Sequence, residues 1–219
     1  MGYFITFEGT DGSGKTTQIR RLAEHLESLG YSVLLTREPG GCPIADMIRS
    51  ILLDANNRGI SDLTEIFMYS AARAQHVSDA ILPALKENKI VLCDRFSDAT
   101  IAYQGAGRGI DQEIVKNLNS IACRGIKPDL TVLLDCDVSL GLKRARQRSE
   151  SRQGPREERF ELEDIEFHKN VRETYLELAR NDPDRFLVID GDRDMDEITE
   201  TIISQVLCHR LNNKDYAFL

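Results

Sequence analysis

Gly9-Thr10-Asp11-Gly12-Ser13-Gly14-Lys15-Thr16 stands between an apolar run, Tyr3 to Phe7, and a helical pattern, Thr16 to Leu29. The letters and their context together make a phosphate-binding loop. Its glycines let successive backbone N–H groups turn toward phosphate oxygens, and the helix that follows adds the positive end of its dipole. Gly9, Thr10, Asp11, Gly12, Ser13, Gly14, Lys15, Thr16 and Thr17 therefore form the candidate cradle for a nucleoside triphosphate. Lys15 can reach the β- and γ-phosphates, and the Thr16 hydroxyl is placed to hold Mg²⁺.

Outward from this loop, short apolar runs recur at Ser32–Thr36, Ile90–Cys93, Leu130–Leu134 and Phe186–Ile189. Together with Tyr3–Phe7 they read as five buried parallel strands. Helical stripes lie between them. Ile19, Leu22, Ala23, Leu26 and Leu29 keep the 3.6-residue spacing, with Gly30 as the stop. Ile44, Met47, Ile48, Ile51 and Leu52 form a second stripe, and a long helix from Ser61 or Asp62 should end or kink at Pro83. Asp111 can cap a helix carrying Ile114, Leu118 and Ile121, and further helices fit Ser139–Arg148, Ile165–Arg180 and Met195–Leu211. Alternating strand and helix predicts one α/β domain over residues 1–219, a three-layer α/β/α sandwich around a five-stranded parallel sheet. Ligands in such sheets sit beyond the carboxyl ends of the strands, so the residues after each run are the informative ones.

Bulk composition narrows the partners. A formal charge of −8 argues against nonspecific binding to nucleic acid or an anionic membrane, so any basic site must be local. Five widely spaced cysteines without a CxxC pair fit reduced thiols in a cytoplasmic enzyme. No apolar stretch spans a bilayer, and Met1-Gly2 runs directly into the first strand without a signal peptide. The segment Gln147 to Glu163 breaks the pattern, with Arg148, Arg152, Arg156 and Arg159, and Arg146 just before them, among few apolar residues. It reads either as a solvated loop or as an arginine lid that closes over phosphates. The tail from Asn212 reads as a frayed end.

A phosphate loop alone does not separate kinases from GTPases or motors. The guanine motif N-K-x-D is missing, since Asn213-Lys214-Asp215 lacks the spacer. Strand two instead leads into Arg37-Glu38-Pro39-Gly40-Gly41 and strand three into Asp94-Arg95-Phe96. Asp94 follows four apolar residues, as a Walker-B carboxylate does, and can hold Mg²⁺ directly or through water. Arg95 can grip a second phosphate in bidentate fashion.

With Ala102-Tyr103-Gln104-Gly105, Gly107-Arg108-Gly109-Ile110-Asp111 and Tyr175-Leu176-Glu177-Leu178-Ala179, these motifs together resemble the bacterial thymidylate kinase family over nearly the whole chain. The resemblance implies ATP-dependent phosphorylation of dTMP to dTDP, on the way to dTTP, with Mg²⁺ and in a homodimer. It also implies residue roles. Asp11 would accept the 3′-hydroxyl of dTMP and Arg95 would hold its phosphate. Glu38 and Pro39 belong to the acceptor side. Tyr69 would stack on thymine, Arg73 would bond the base, and Thr100 and Gln104 would add base contacts. Tyr103 would pack under the deoxyribose and exclude a 2′-hydroxyl. With Ser13 and Gly14 before Lys15, the lid would supply the catalytic arginine. Arg148 is the best match, and Arg144 would line the adenine side. The sequence departs from the family at Cys42, at Ala99, and in a longer lid containing Gly154-Pro155. Apolar faces around Ile66–Met68 and Ile114–Ile121 could be an interface or core. A nucleotide-switched binding protein is the rival of another class, but it would not need a second phosphate site.

Overall fold

The computed structural model describes residues 2–57, 59–151 and 159–212, without the side chains of 148–151 and 210–212. All five apolar runs are strands: β1 (Tyr3–Glu8), β2 (Val33–Arg37), β3 (Ile90–Asp94), β4 (Leu130–Asp135) and β5 (Phe186–Asp190). They pair in parallel in the order β2-β3-β1-β4-β5. Position explains composition. Central β1 is buried at every residue, whereas edge strand β2 leaves Leu35 44% exposed.

Side-chain alternation divides β1 between two layers. Tyr3, Ile5 and Phe7 face α1 (Lys15–Ser28) and α9 (Met195–Asn212), packing with Ile19, Leu22, Leu26, Ile198 and Ile202. Phe4 faces the other way, onto Val77, Ile81, Leu85 and Phe96. On that second face lie α2 (Pro43–Leu53), α3 (Asp62–His76), α4 (Leu82–Lys86), a short α5 (Ser97–Thr100) and α6 (Gln112–Cys123). Between α6 and α9 come α7 (Val138–Ser151) and α8 (Ile165–Asn181). After β1 the chain crosses toward β2, and after β3 it crosses the other way to β4. The crevice between the carboxyl ends of β1 and β3 is thus the switch point where such sheets bind ligands.

Local chemistry sets the helix ends. The Ser61 hydroxyl accepts from the Thr64 N–H, and Asp111 accepts from Glu113 at 2.8 Å and Ile114 at 3.4 Å, as N-cap residues do. At Pro83 the expected end or kink is a wide turn, Val77–Ile81, which joins α3 to α4 and accommodates a residue with no N–H to donate. The stripe on α2 needs correcting. The helix is there, but only Ala45 and Leu52 are fully buried, while Ile44, Met47 and Ile51 face outward. Periodicity locates an apolar face without saying what covers it.

The segment read as a lid divides into three. α7 continues through Ser151, residues 152–158 with Arg152, Gly154-Pro155 and Arg156 lie outside the described residues, and Arg159–Glu163 pack against the body. Arg159 and Phe160 are buried, so this end is not a solvated loop. Residues 213–219 likewise lie outside the described residues.

Candidate active site

The loop from Gly9 to Gly14 joins β1 to α1, as the sequence predicts. Gly14 caps α1 at φ 96°, a backbone region that disfavours side chains. Gly12 has φ 76°, and a Cβ there would lie 1.9 Å from the Gly141 carbonyl of α7. Only glycine permits that approach, which seats the loop against α7. Lys15 is buried and its Nζ donates to Thr10 O (2.6 Å), Gly9 O (3.0 Å) and Ser13 Oγ (3.3 Å). Burial and then the Arg95 charge lower its pKa to about 8. The Thr16 hydroxyl donates to Asp94 Oδ2 at 2.8 Å, so the two expected metal-holding groups meet where β3 ends.

Arg95 has a left-handed backbone, φ 71°, uncommon for a non-glycine residue. Neighbours on both sides hold it there. Its N–H donates to the Phe7 carbonyl at 2.9 Å, and the next N–H, of Phe96, donates to Glu8 Oε1 at 2.7 Å. The guanidinium turns back into the cleft. Nη1 donates to Gly9 O (2.9 Å) and Tyr175 Oη (3.3 Å), and Nη2 to Asp11 Oδ1 (2.7 Å) and Tyr103 Oη (3.0 Å). It also lies 4.7 Å from the Tyr103 ring centroid. Burial pushes the Asp11 carboxyl up, but Arg95 and Lys15 outweigh it and hold it at about 2. Tyr103 donates to the other Asp11 oxygen at 3.0 Å. Glu8 behaves oppositely. Burial, then the nearby Asp98 charge, push its carboxyl far above the usual range, and Tyr175 donates to it at 2.7 Å.

Deeper in the cleft, α3 presents Tyr69 and Arg73 one turn apart on the same wall. Arg73 is fully buried. It donates to Glu38 (2.7 Å), Asn119 Oδ1 (2.7 Å), Thr100 Oγ1 (2.9 Å) and the Phe96 carbonyl (3.0 Å). Glu38 also meets His76 Nδ1 at 3.0 Å and is joined to Pro39 by a cis peptide. Four of the five N–H groups of Arg73 are engaged, leaving one on Nη1. Gln104 donates to Glu65, and the Phe160 ring stands edge-on to Tyr69 and Tyr103, closing the apolar wall. At the opposite end Arg144 of α7 lines the cleft beside Gly191 and Met195, donating to the Gly191 carbonyl at 3.3 Å.

Every expected residue from Asp11 to Arg144 lines one cleft of about 910 Å³, whereas Gly9 and Thr10, at the back of the loop, do not. The side chain of Arg148 is outside the described residues. Arg159 does not belong with free lid arginines, since it pairs with Glu65 at 2.6 Å and donates to the Leu52 carbonyl. Sequence reasoning missed four residues: Glu8, Tyr175, Glu65 and Phe160. Glu65 had a signal, because it is four residues before Tyr69 and eight before Arg73, on their helix face. Tyr175 and Phe160 are brought to the site by contacts distant in sequence, and Glu8, although it adjoins the loop, takes its part through Phe96 and Tyr175.

The oxygens of Thr16 and Asp94 fit Mg²⁺, which takes few protein ligands and completes its shell with phosphates and water. Among the described residues no group of three or more His, Cys, Asp and Glu is placed to hold a metal.

Comparisons with known proteins place the chain in a family. The sequence model of the thymidylate kinase family matches residues 7–202. A thymidylate kinase of Pelobacter propionicus is 66% identical over the full length of both chains, and one of Geobacter sulfurreducens is 56% identical over 96% of this chain and 99% of its own. The crystal structure of thymidylate kinase from Ehrlichia chaffeensis superposes with a TM-score of 0.76 at 35% identity, covering 94% of this chain and 98% of that one. The chain belongs to the thymidylate kinase family, P-loop enzymes that phosphorylate dTMP with ATP.

Proposed function

We propose that the cleft takes both nucleotides end to end within a single domain spanning residues 1–219. ATP lays its triphosphate on Gly9–Thr17 and its adenine beside Arg144. The dTMP phosphate lies at Arg95, the deoxyribose at Asp11 and Tyr103, and thymine among Tyr69, Arg73, Thr100 and Gln104, with Glu38 and Pro39 behind. The observation that carries this reading is Arg95, bonded at once to the P-loop carbonyl of Gly9 and to the Asp11–Tyr103 pair. An acceptor phosphate there is next to the donor phosphates.

An acceptor oxygen attacks the γ-phosphorus in line, and ADP leaves. A phosphate monoester is already largely ionised near neutral pH, its second pKa being about 6, so no strong base is needed. Catalysis is positioning and charge neutralisation. Lys15 exchanges its loop carbonyls for phosphate oxygens, Arg95 orients the acceptor, and Arg148 on the lid of about 147–163 meets the transferring group. Mg²⁺ held by Thr16 and Asp94 would neutralise charge on the β- and γ-phosphates.

Three apolar helix faces support a homodimer. α2 packs on α3 and α3 on α6, yet Ile44, Met47 and Ile51 of α2, Leu63 and Phe67 of α3, and Ile114 and Ile121 of α6 are exposed. A cytoplasmic setting accords with four free, buried thiols, Cys42, Cys93, Cys123 and Cys136. No described helix is long and apolar enough to cross a membrane.

A coupled ADP-release assay tests the acceptor assignment. The expected order of kcat/KM is dTMP, dUMP, UMP, with loss of the 5-methyl group costing about 10–200-fold. UMP turned over as well as dTMP would overturn the place given to Tyr103.

A further inference from the structure

Two buried carboxylates stand behind the base end of the cleft, and each holds a group that faces it. Glu38 holds Arg73. Glu65 is 0% exposed and accepts from Gln104 Nε2 at 2.8 Å, from Arg108 Nε and Nη2 at 3.4 Å, and pairs with Arg159 at 2.6 Å. A carboxylate flanked by two guanidinium groups offers lone pairs only. It therefore decides the orientation of the Gln104 amide, which could otherwise present either end. The NH₂ must point to Glu65, and the carbonyl Oε1 is turned to the cleft that Gln104 lines. Gln104 itself is 1% exposed, so its amide meets protein groups and not solvent, and a flip about its last side-chain torsion is what would exchange its two ends.

We propose that Glu65 is a positioning residue for base selection: it polarises Gln104 so that the pocket presents a hydrogen-bond acceptor to the pyrimidine edge. Arg73 presents the complementary donor, its remaining Nη1 proton. Thymine and uracil offer an N3–H donor beside the O4 acceptor. Cytosine offers the reverse, an N3 acceptor beside an N4 donor, and would set lone pair against lone pair and proton against proton. Buried polar groups left unpaired in this way are what gives a hydrogen-bonding site strong discrimination. Arg73 cannot be reversed, but Gln104 can. Its direction comes from a residue outside the cleft lining.

The inference rests on assigning this end of the cleft to the base, and the two can fail separately. Gln104→Ala that leaves the KM for dTMP unchanged sinks the base assignment. Three measurements test Glu65 itself. On the unmodified protein, dTMP and 5-methyl-dCMP differ only at this edge, and kcat/KM should differ by at least about 10³-fold. Glu65→Gln frees the amide to turn, and should narrow that ratio at least about tenfold while leaving the KM for ATP unchanged. The double variant Glu65→Gln with Gln104→Glu again turns an acceptor oxygen to the base, and should restore preference for dTMP. A purely structural role for Glu65 predicts general loss without recovery of the ratio. Comparable use of 5-methyl-dCMP by the unmodified protein overturns the proposal whether or not the variants fold. So does an unchanged ratio in Glu65→Gln.

Discussion

Lys15 and Arg95 are cations held by the protein's own oxygens, Lys15 by the loop and Arg95 by Asp11, Tyr103, Tyr175 and Gly9. Each can hand some of those bonds to a phosphate without reorganising the fold, which is the preorganisation that makes electrostatic catalysis effective. Lys15→Met should keep a folded protein and lower kcat at least about 10²-fold; near-normal kcat would contradict the P-loop role. Glu8 permits a test in pH. Its folded-state pKa rises from 4.5 to about 8, because burial and Asp98 favour the protonated form. That contribution to stability is complete below pH 4.5 and is lost as pH rises through about 8. Glu8→Gln should therefore lose less Tm than the unmodified protein between pH 5 and 8, measured by thermal melts. Equal slopes would show that Glu8 does not titrate in that window. Arg73 makes a poorer probe, since removing one partner of a buried ion pair costs about 3–5 kcal/mol and would confound binding with folding.

At the scale of elements, α3 shows how helical spacing builds a site. Glu65, Tyr69 and Arg73 recur every fourth residue on one face, so that Tyr69 and Arg73 line the cleft and Glu65, one turn earlier, reaches Gln104 from behind it. α7 does the same for the donor side. Arg144 lines the cleft, and Arg148 follows one turn later on the element whose Gly141 packs against Gly12. Arg148→Ala is expected to lower kcat on the order of 10³-fold while changing the KM for dTMP little, the pattern of a contact made in the transition state. A large effect at Arg152 or Arg156 instead would keep the lid and move the role along it. Arg159 is expected to behave differently, because its ion pair with Glu65 is formed in the resting structure. Tyr103 and Gln104 sit in the wide turn Ile101–Gly107, an element without the 3.6-residue signal that marked the other helices.

Over the whole molecule, the exposed apolar faces of α2, α3 and α6 are what the fold leaves uncovered. A charge set into that surface, as in Phe67→Asp or Met47→Asp, should convert a dimer to monomers in light scattering while the far-ultraviolet circular dichroism stays unchanged. A monomeric unmodified protein at micromolar concentration would remove the dimer. The order β2-β3-β1-β4-β5 puts the P-loop and Asp94-Arg95 on adjacent strand ends, with Phe7 opposite Asp94 in the ladder. The sequence by itself determined the five strands, the phosphate loop with its following helix, and the placing of Thr16, Asp94 and Arg95 around that loop. These depend on local periodicity, backbone freedom and motif spacing, all carried by neighbouring residues. Only the tertiary structure decided that Glu8 and Tyr175 support Arg95, that Glu65 accepts from Gln104, that Phe160 stands edge-on to Tyr69 and Tyr103, and that three of the five residues of the α2 stripe face out. Those are contacts between residues from 39 to 167 positions apart, or statements about what covers a surface. The energy of such a contact depends on which elements the sheet order brings together, and no single stretch of the chain carries that information.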